Sequence, residues 1–479
     1  MKLFITVFLF SIMVFNIYAD ISKSIVSVYV TSQKYLLYTP WQKSGIVYKK
    51  GNGAVISDNS ILVPSFLVAD STVVEVSKNG SGKRWKASVF HVDTDAGLAI
   101  INIDNKDFFS DLLPVDISQN LNLQDNVSIC QWNDNGQFLN DSGNILSFKA
   151  GKIDSSYNYY LYTIASVNLS EKKSSNELVF LGEKLCGISF YYNDNKIQFR
   201  PLETIKHYID DVLNGDYKGF AVNHISYRNS NNEYLREYLK VDENNQGIFY
   251  SGGKNSPYSD VLKKNDFIYE INNMQIDNNG NINDSVKGIQ PFYYLITRFF
   301  PGDKVNLKIL RNGKKMNFNI TLDSLSEKDF LIPDEKYNTR SNYFVYGGIM
   351  FSELSKNMLE AYGKDWEKKA PKELVILYKK NYMKKTLSDD KIVLVNKVFP
   401  DDINKSYQNY YSDKIKIANG EEVKNLKHLK EILQKDGEFD VIELDYSKGK
   451  IVFDKKQLKE RHIEILKNYN ITESEYIAP

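Results

Sequence analysis

Between Ile25 and about Phe190 the chain is a succession of short β-branched and aromatic runs, SIVSVYV, GAVIS, TVVEV, LAIINI, NVSIC, YYLYTIASV and LCGISF, separated by Gly, Asn, Asp and Ser. Side chains crowded at Cβ pack well on a pleated surface, so runs of this kind at this spacing predict an all-β barrel or sandwich. Pro201 then opens a helix with Leu202, Ile205, Ile209, Val212 and Leu213 on one face, and Gly215 stops it.

From Gly219 the pattern is mixed: a strand, the segment NSPYSDVLKKNDFIYEINNMQI, an aromatic helix from Pro291 to Phe300, then VNLKIL and KKMNFNITL around Asn312-Gly313, a strong two-residue hairpin signal. A polar interval from about Ser324 to Asn342 reads as a linker. Beyond it FVYGGIMFSEL, KIVLVNKVFP and KIKIANGEEVKNLKHLKEIL repeat the order of the preceding unit, with Asn419-Gly420 as the turn and Leu426, Leu429, Ile432 and Leu433 as one helix face.

A chain of 479 residues is too long for one core and divides into about three domains. Lys and Arg number 61 against 60 Asp and Glu, so no long-range field favours nucleic acid or anionic lipid. Residues 2–19, KLFITVFLFSIMVFNIYA, have a positive start and a short apolar run ending at Ala19, the pattern of a cleaved secretory signal rather than a stable membrane span. Cys130 and Cys186 lie in apolar strand-like runs, where buried thiols are the default and one bridge in an oxidising compartment stays open as an alternative.

The run GNGAVISDNSILVPSFLVAD, Gly51 to Asp70, resembles the HtrA/Deg family of trypsin-like serine proteases, whose corresponding run reads GSGFVIxxNxILTNAHVVAD. The segment SPYSDVLKKNDFIYEINNMQI is similar to the PDZ pattern SPAxxAGLKxGDxIxxInGxxI, with Asn265 in place of a glycine, a change that left-handed backbone tolerates. FPGDKVNLKILRNGK, ANGEEVKNLKHL and RPLETIKHYIDDVLNGDYKGF are closest to the plant-type branch. The resemblance covers nearly the whole mature chain. It implies an all-β trypsin-like double β-barrel followed by two α+β PDZ-like domains: a signal peptide at 1–19, a protease-fold domain at 20–215, PDZ-like domains at 216–323 and 343–460 around a linker at 324–342, and a C-terminal tail at 461–479.

The family's triad is histidine, aspartate and serine. By register, Phe66 stands at the histidine and Gly97 at the aspartate of TDLALL, here Ala96 to Ile101. The serine motif GNSGGPxF falls on Lys173 to Phe180, which puts Ser175 at the nucleophile while Lys173, Asn176 and Glu177 replace the glycines that let amides converge on an oxyanion. An alcohol without a base is a weak nucleophile, and loss of the histidine alone costs about a millionfold in a well-studied serine protease. The expectation is a pseudoprotease with Ser175 as a vestigial nucleophile. The alternatives are an active endopeptidase with an unconventional site at Ser175, and a structural subunit of a mixed oligomer with an active relative. His91 beside Asp93 and Asp95 reads as a polar strand end rather than a displaced dyad or metal site, and no cofactor or metal signature stands out.

PDZ-like modules take an extended peptide as an added strand. In the first module the carboxylate loop of the family falls on Phe220 to Ser226, so Asn223, His224 and Ile225 are its peptide-binding candidates, with His224 where glycine is usual and able to meet an acidic ligand. In the second, Gly347, Gly348 and Ile349 stand at the comparable place and make the better candidate. The resemblance implies an exported, periplasmic or extracytoplasmic protein that binds peptides or unfolded segments in envelope quality control. It also implies a homo-oligomer, a trimer or a multiple of one, with the aromatic stretch up to Trp41 available for contacts.

Overall fold

The computed structural model describes residues 21–478 apart from 79, 118–120, 154, 155, 157, 171–175, 253–255, 325–329, 335–338 and 382–388. The leader at 2–19 and Ser175 lie outside the described residues. Two compact units are present: residues 48–324 together with the strand that ends at Ser32, and residues 325–479 together with 33–47.

The first eight strands are β1 (Ile25–Ser32), β2 (Tyr35–Leu36), β3 (Thr39–Lys43), β4 (Val47–Val55), β5 (Ser60–Pro64), β6 (Ser71–Lys78), β7 (Trp85–Asp93) and β8 (Leu98–Asn102). Six of them close a barrel in the order β1-β4-β5-β8-β7-β6, and β2 and β3 pair separately as a hairpin. Val26, Val28 and Val30, two residues apart, fall on one face of β1 and are buried in the barrel core with Ile61, Val63, Ala99 and Ile101. A second closed barrel, in the order β10-β11-β14-β13-β12-β9, is formed by β9 (Asn126–Trp132), β10 (Phe138–Gly151), β11 (Tyr160–Val167), β12 (Leu178–Leu181), β13 (Lys184–Asn193) and β14 (Lys196–Pro201). Closure leaves neither sheet with an open edge. The expected double barrel is therefore observed, and both cysteines are free and buried inside the second barrel or its wall.

The helix Leu202–Leu213 follows Pro201 and buries Leu202, Ile205, Tyr208, Ile209 and Val212. Leu213, expected on the same face, is exposed because the helix ends there, before Gly215 at φ +82°. The rest of the first unit has a sheet of β15 (Tyr227–Arg228), β16 (Ile248–Tyr250), β17 (Phe267–Ile271), β21 (Lys304–Arg311) and β22 (Lys314–Thr321), in that order, with β18 (Met274–Gln275) on β17 and a separate hairpin of β19 (Asn281–Asp284) and β20 (Gly288–Pro291). Asn312 and Gly313 take φ of +52° and +78° between β21 and β22, the two positive angles that a tight hairpin of this twist demands. The aromatic helix is a 3-10 helix, Phe292–Arg298.

In the second unit β25 (Val393–Val398), β24 (Ile349–Glu353), β23 (Tyr343–Tyr346) and β30 (Glu475–Tyr476) form one sheet in that order. A second sheet runs β27 (Glu421–Glu422), β26 (Ile415–Ala418), β28 (Phe439–Leu444) and β29 (Lys450–Asp454). Leu426, Leu429, Ile432 and Leu433 of the helix Leu426–Leu433 are buried, on the face their spacing indicates. Residues 461–479, read as a tail, instead carry the end of the helix Lys455–Asn468 and the strand β30, which pairs with β23. Residues 33–47, read as part of the protease-fold domain, group with the second unit. No helix among the described residues is long and apolar enough to cross a membrane.

Candidate functional site

Phe66 and Gly97, expected at the triad histidine and aspartate, come close through the backbone. Phe66 sits on the short helix Ser65–Val68 that follows β5, Gly97 immediately precedes β8, and the Ser65 N–H donates to the Gly97 carbonyl at 3.0 Å. The Phe66 ring is half-buried against the core of the first barrel. Lys49 of β4 donates to the carbonyls of Phe66 and Ala69, both at 3.0 Å, closing the end of that helix. Burial lowers the pKa of its ammonium, with Asp70 opposing.

Gly97 has φ +71°, and a Cβ built on it would lie 2.0 Å from Arg200 Nη2 and 2.5 Å from Cζ. Arg200 is 1% exposed, its Nε donates to the Ala96 carbonyl at 2.7 Å, and its guanidinium lies 5.0 Å from the centre of the Phe190 ring. A guanidinium therefore fills the space into which a carboxylate side chain at position 97 would project. Arg200 was not singled out from the sequence. Its signal is a charged residue on the strand KIQFRP directly after the core residue Phe199 and before Pro201, a weak one because the same strand carries Lys196 and Gln198.

The residues that follow Ser175 are tightly held. Asn176 is buried, and its side chain occupies the space above Gly51, where a Cβ would come within 2.7 Å of both Asn176 Nδ2 and Leu67 Cδ2. Its Oδ1 accepts from Asn52 Nδ2 at 3.4 Å, while Asn52 Oδ1 accepts from the Trp132 N–H at 2.8 Å. Glu177, fully buried, donates its N–H to Ser189 Oγ at 2.9 Å, accepts the Ser189 hydroxyl on Oε2 and accepts the Ser189 N–H on its carbonyl at 2.9 Å. Asn176 and Glu177 are thus bonded to β4 and β13 respectively.

His91 and its neighbours form a brace. Asp93 accepts the N–H groups of Asp95 and Ala96 at 2.7 and 2.9 Å and the Tyr217 hydroxyl, while Asp95 accepts the Tyr160 hydroxyl at 2.7 Å. Burial, then the charge of Asp95, raises the pKa of Asp93. The His91 Nδ1 faces the Tyr208 hydroxyl at 3.1 Å, and burial lowers its pKa, with Asp93 and Asp211 opposing. Among the described residues no three His, Cys, Asp or Glu side chains converge as metal ligands.

The two peptide-binding candidates differ. Gly347 and Gly348 form the two-residue turn between β23 and β24 at φ +56° and +75°. A Cβ at Gly347 would meet the Phe453 ring at 2.6 Å, and one at Gly348 would meet Asn404 Nδ2 at 2.5 Å. The buried Asn404 donates to the Gly347 carbonyl at 2.9 Å, and Ile349 is fully buried. β24 is paired on both sides, by β23 and β25, so neither edge is open for an added strand. In the first unit Asn223 Oδ1 accepts from the Ile225 N–H at 3.0 Å, Ile225 enters the core, and half-buried His224 lies 6.2 Å from the Tyr258 ring. The strand that follows this loop, β15, is at the edge of its sheet.

Residues 332–475 match the PDZ domain family. The mitochondrial Do-like protease 3 of Arabidopsis thaliana is 28% identical over 459 residues, covering 94% of this chain and 78% of that protein. Mitochondrial protease Do-like 4 of the same plant is 27% identical, over 86% of this chain and 76% of its own. The serine protease DegP homologue of Plasmodium falciparum is 24% identical, over 86% of this chain and 58% of its own. Among solved structures, a variant of the HtrA-type protease AlgW with a decapeptide matches in fold with a TM-score of 0.51 at 14% identity, covering 65% of this chain and 97% of that one. A double trypsin-like barrel, a C-terminal PDZ domain and similarity to these proteins over 86–94% of its length make the chain a homologue of the HtrA/Deg-type proteases.

Proposed function

We propose that this HtrA/Deg homologue binds polypeptide without cleaving it. The observation that carries the reading is the Arg200 guanidinium seated against Gly97, taken with a phenylalanine at residue 66, which register sets against the family's base. Phe66 offers no imidazole to take a serine's proton, and Gly97 offers no carboxylate to orient one. Asn176 and Glu177 further occupy the backbone positions from which an oxyanion would be bound.

Peptide engagement falls to the first module, at the edge of β15 beside Asn223, His224 and Ile225, because a strand edge there is open to main-chain pairing. Gly347, Gly348 and Ile349 would serve only after β23 leaves the edge of β24. Residues 2–19 act as a leader that takes the chain out of the compartment of synthesis, and holding unfolded segments is the activity left to such a scaffold. The test is a pair of assays on the full chain. A fluorophosphonate probe leaves it unlabelled and casein stays intact, while aggregation of a reduced client protein is suppressed. Labelling or cleavage abolished by Ser175→Ala would establish an active endopeptidase instead.

A further inference from the structure

Residues 33–47 leave the first barrel between β1 and β4 and pack with the C-terminal unit. This arm is a self-contained hairpin closed at its base, where the Ser44 N–H donates to the Lys34 carbonyl at 2.8 Å and Gln33 Nε2 to the Ser44 carbonyl at 3.0 Å. Its second strand is anchored by Trp41, whose ring lies 5.7 Å from Tyr343 and 5.9 Å from Phe399, and by buried Pro40, whose carbonyl accepts from Arg340 Nε at 2.8 Å. Asn396 Nδ2 reaches the Leu37 carbonyl at 3.4 Å.

Two features mark the seat as a binding site rather than a core. Trp41 Nε1 and Asn396 Oδ1 are both buried without a hydrogen-bond partner among the described residues, a defect that a core seldom keeps and a separable contact tolerates. Past the base of the hairpin, Gly45 has nothing within 4 Å of a built Cβ, and Ile46, Val47 and Tyr48 are exposed, so the stretch on which the arm would swing carries no packed side chains, and release costs only the contacts of the seat itself. An aromatic anchor in a pocket, one arginine on a backbone carbonyl and an extended ligand are the parts of a peptide-recognition site.

We propose that residues 33–47 are a tethered ligand of the C-terminal module, and that the Arg340–Tyr343–Phe399 cradle binds extended polypeptide segments that present a proline followed by tryptophan. Such a segment enters when the arm leaves. The arm runs directly into β4, which carries Lys49, Gly51 and Asn52. The site is separate from the β15 edge and does not depend on whether the cleft hydrolyses.

The test uses the full chain and a fluorescein-labelled peptide of residues 33–47, read by anisotropy. A tether supplies an effective concentration of about a millimolar, so the wild-type arm outcompetes added peptide. Trp41→Ala weakens that competitor and should bind the peptide at least tenfold more tightly than wild type. Adding Arg340→Ala or Phe399→Ala to Trp41→Ala should lose that gain, and a peptide with alanine for the tryptophan should not bind. Thermal melts identify any variant that fails to fold, and Arg340→Ala carries the test if Phe399→Ala does. Equal affinity for wild type and Trp41→Ala, or no binding to either at millimolar peptide, overturns the proposal.

Discussion

Replacing Gly97 by alanine tests the exchange at the centre of the cleft. Two costs add. A non-glycine residue in left-handed backbone loses roughly 1–2 kcal/mol, and the native φ is +71°. The new methyl would also lie 2.0 Å from Arg200 Nη2. Arg200 is 1% exposed and bonded to Ala96 at 2.7 Å, so it gives way only by losing a charge-assisted hydrogen bond, at about 1.5–3 kcal/mol. The expected destabilisation of the first unit is therefore about 2.5–5 kcal/mol. Urea unfolding in a Trp41→Phe/Trp366→Phe background reports that unit through Trp85 and Trp132. In an Arg200→Ala background the clash disappears and only the backbone cost remains, so a double-mutant cycle should return a coupling of about 2 kcal/mol. A cost for Gly97→Ala below about 0.5 kcal/mol, or simple additivity of the two changes, would refute the exclusion of a carboxylate by the guanidinium.

Three further outcomes are expected. Burial lowers the pKa values of His91, His207 and His462, so their contribution to stability is complete above the unfolded value near 6.5 and is lost as pH falls through the folded values. Melting temperatures should fall from pH 7.5 to pH 5, and His207→Gln should flatten part of that slope; Asp93, raised by burial, acts in the opposite sense, favouring the fold below its unfolded value and losing that contribution as pH rises. Ser189→Ala removes a donor to the fully buried Glu177 carboxylate and should cost about 1.5–3 kcal/mol in chemical denaturation. Burial pushes the Cys130 thiol up to about 12 and raises Cys186 as well, so neither should react with a disulfide reagent at neutral pH until the chain is unfolded.

The double barrel was legible because inward positions along β1 and its neighbours recur every second residue and turn residues separate the runs, a local pattern that tertiary packing does not override. Asn312-Gly313 and Asn419-Gly420 fold as their sequence dictates for the same reason: positive φ is a property of those residues. Register alone sets Phe66 and Gly97 against the histidine and aspartate of the family pattern. The Arg200 guanidinium against Gly97 was not legible, since it comes from a strand about a hundred residues away and no local rule pairs the two. The Gly347-Gly348 turn misled because a glycine pair fits both an open anion-binding loop and a buried hairpin. Only the burial of Asn404 and Phe453 over it separates them. The alliance of residues 33–47 with the C-terminal unit depends on pairings such as Pro40 with Arg340, which composition and periodicity do not encode.

That last pairing has a consequence for biosynthesis. Pro40 and Arg340 are separated by 300 positions, and translation at about 5–20 residues per second leaves an interval of roughly 15–60 s between them. The first barrel's strands emerge and can close long before the arm's seat has been made. Throughout that interval Trp41 is offered to whatever chaperone attends the nascent chain, and its docking becomes a late event in maturation.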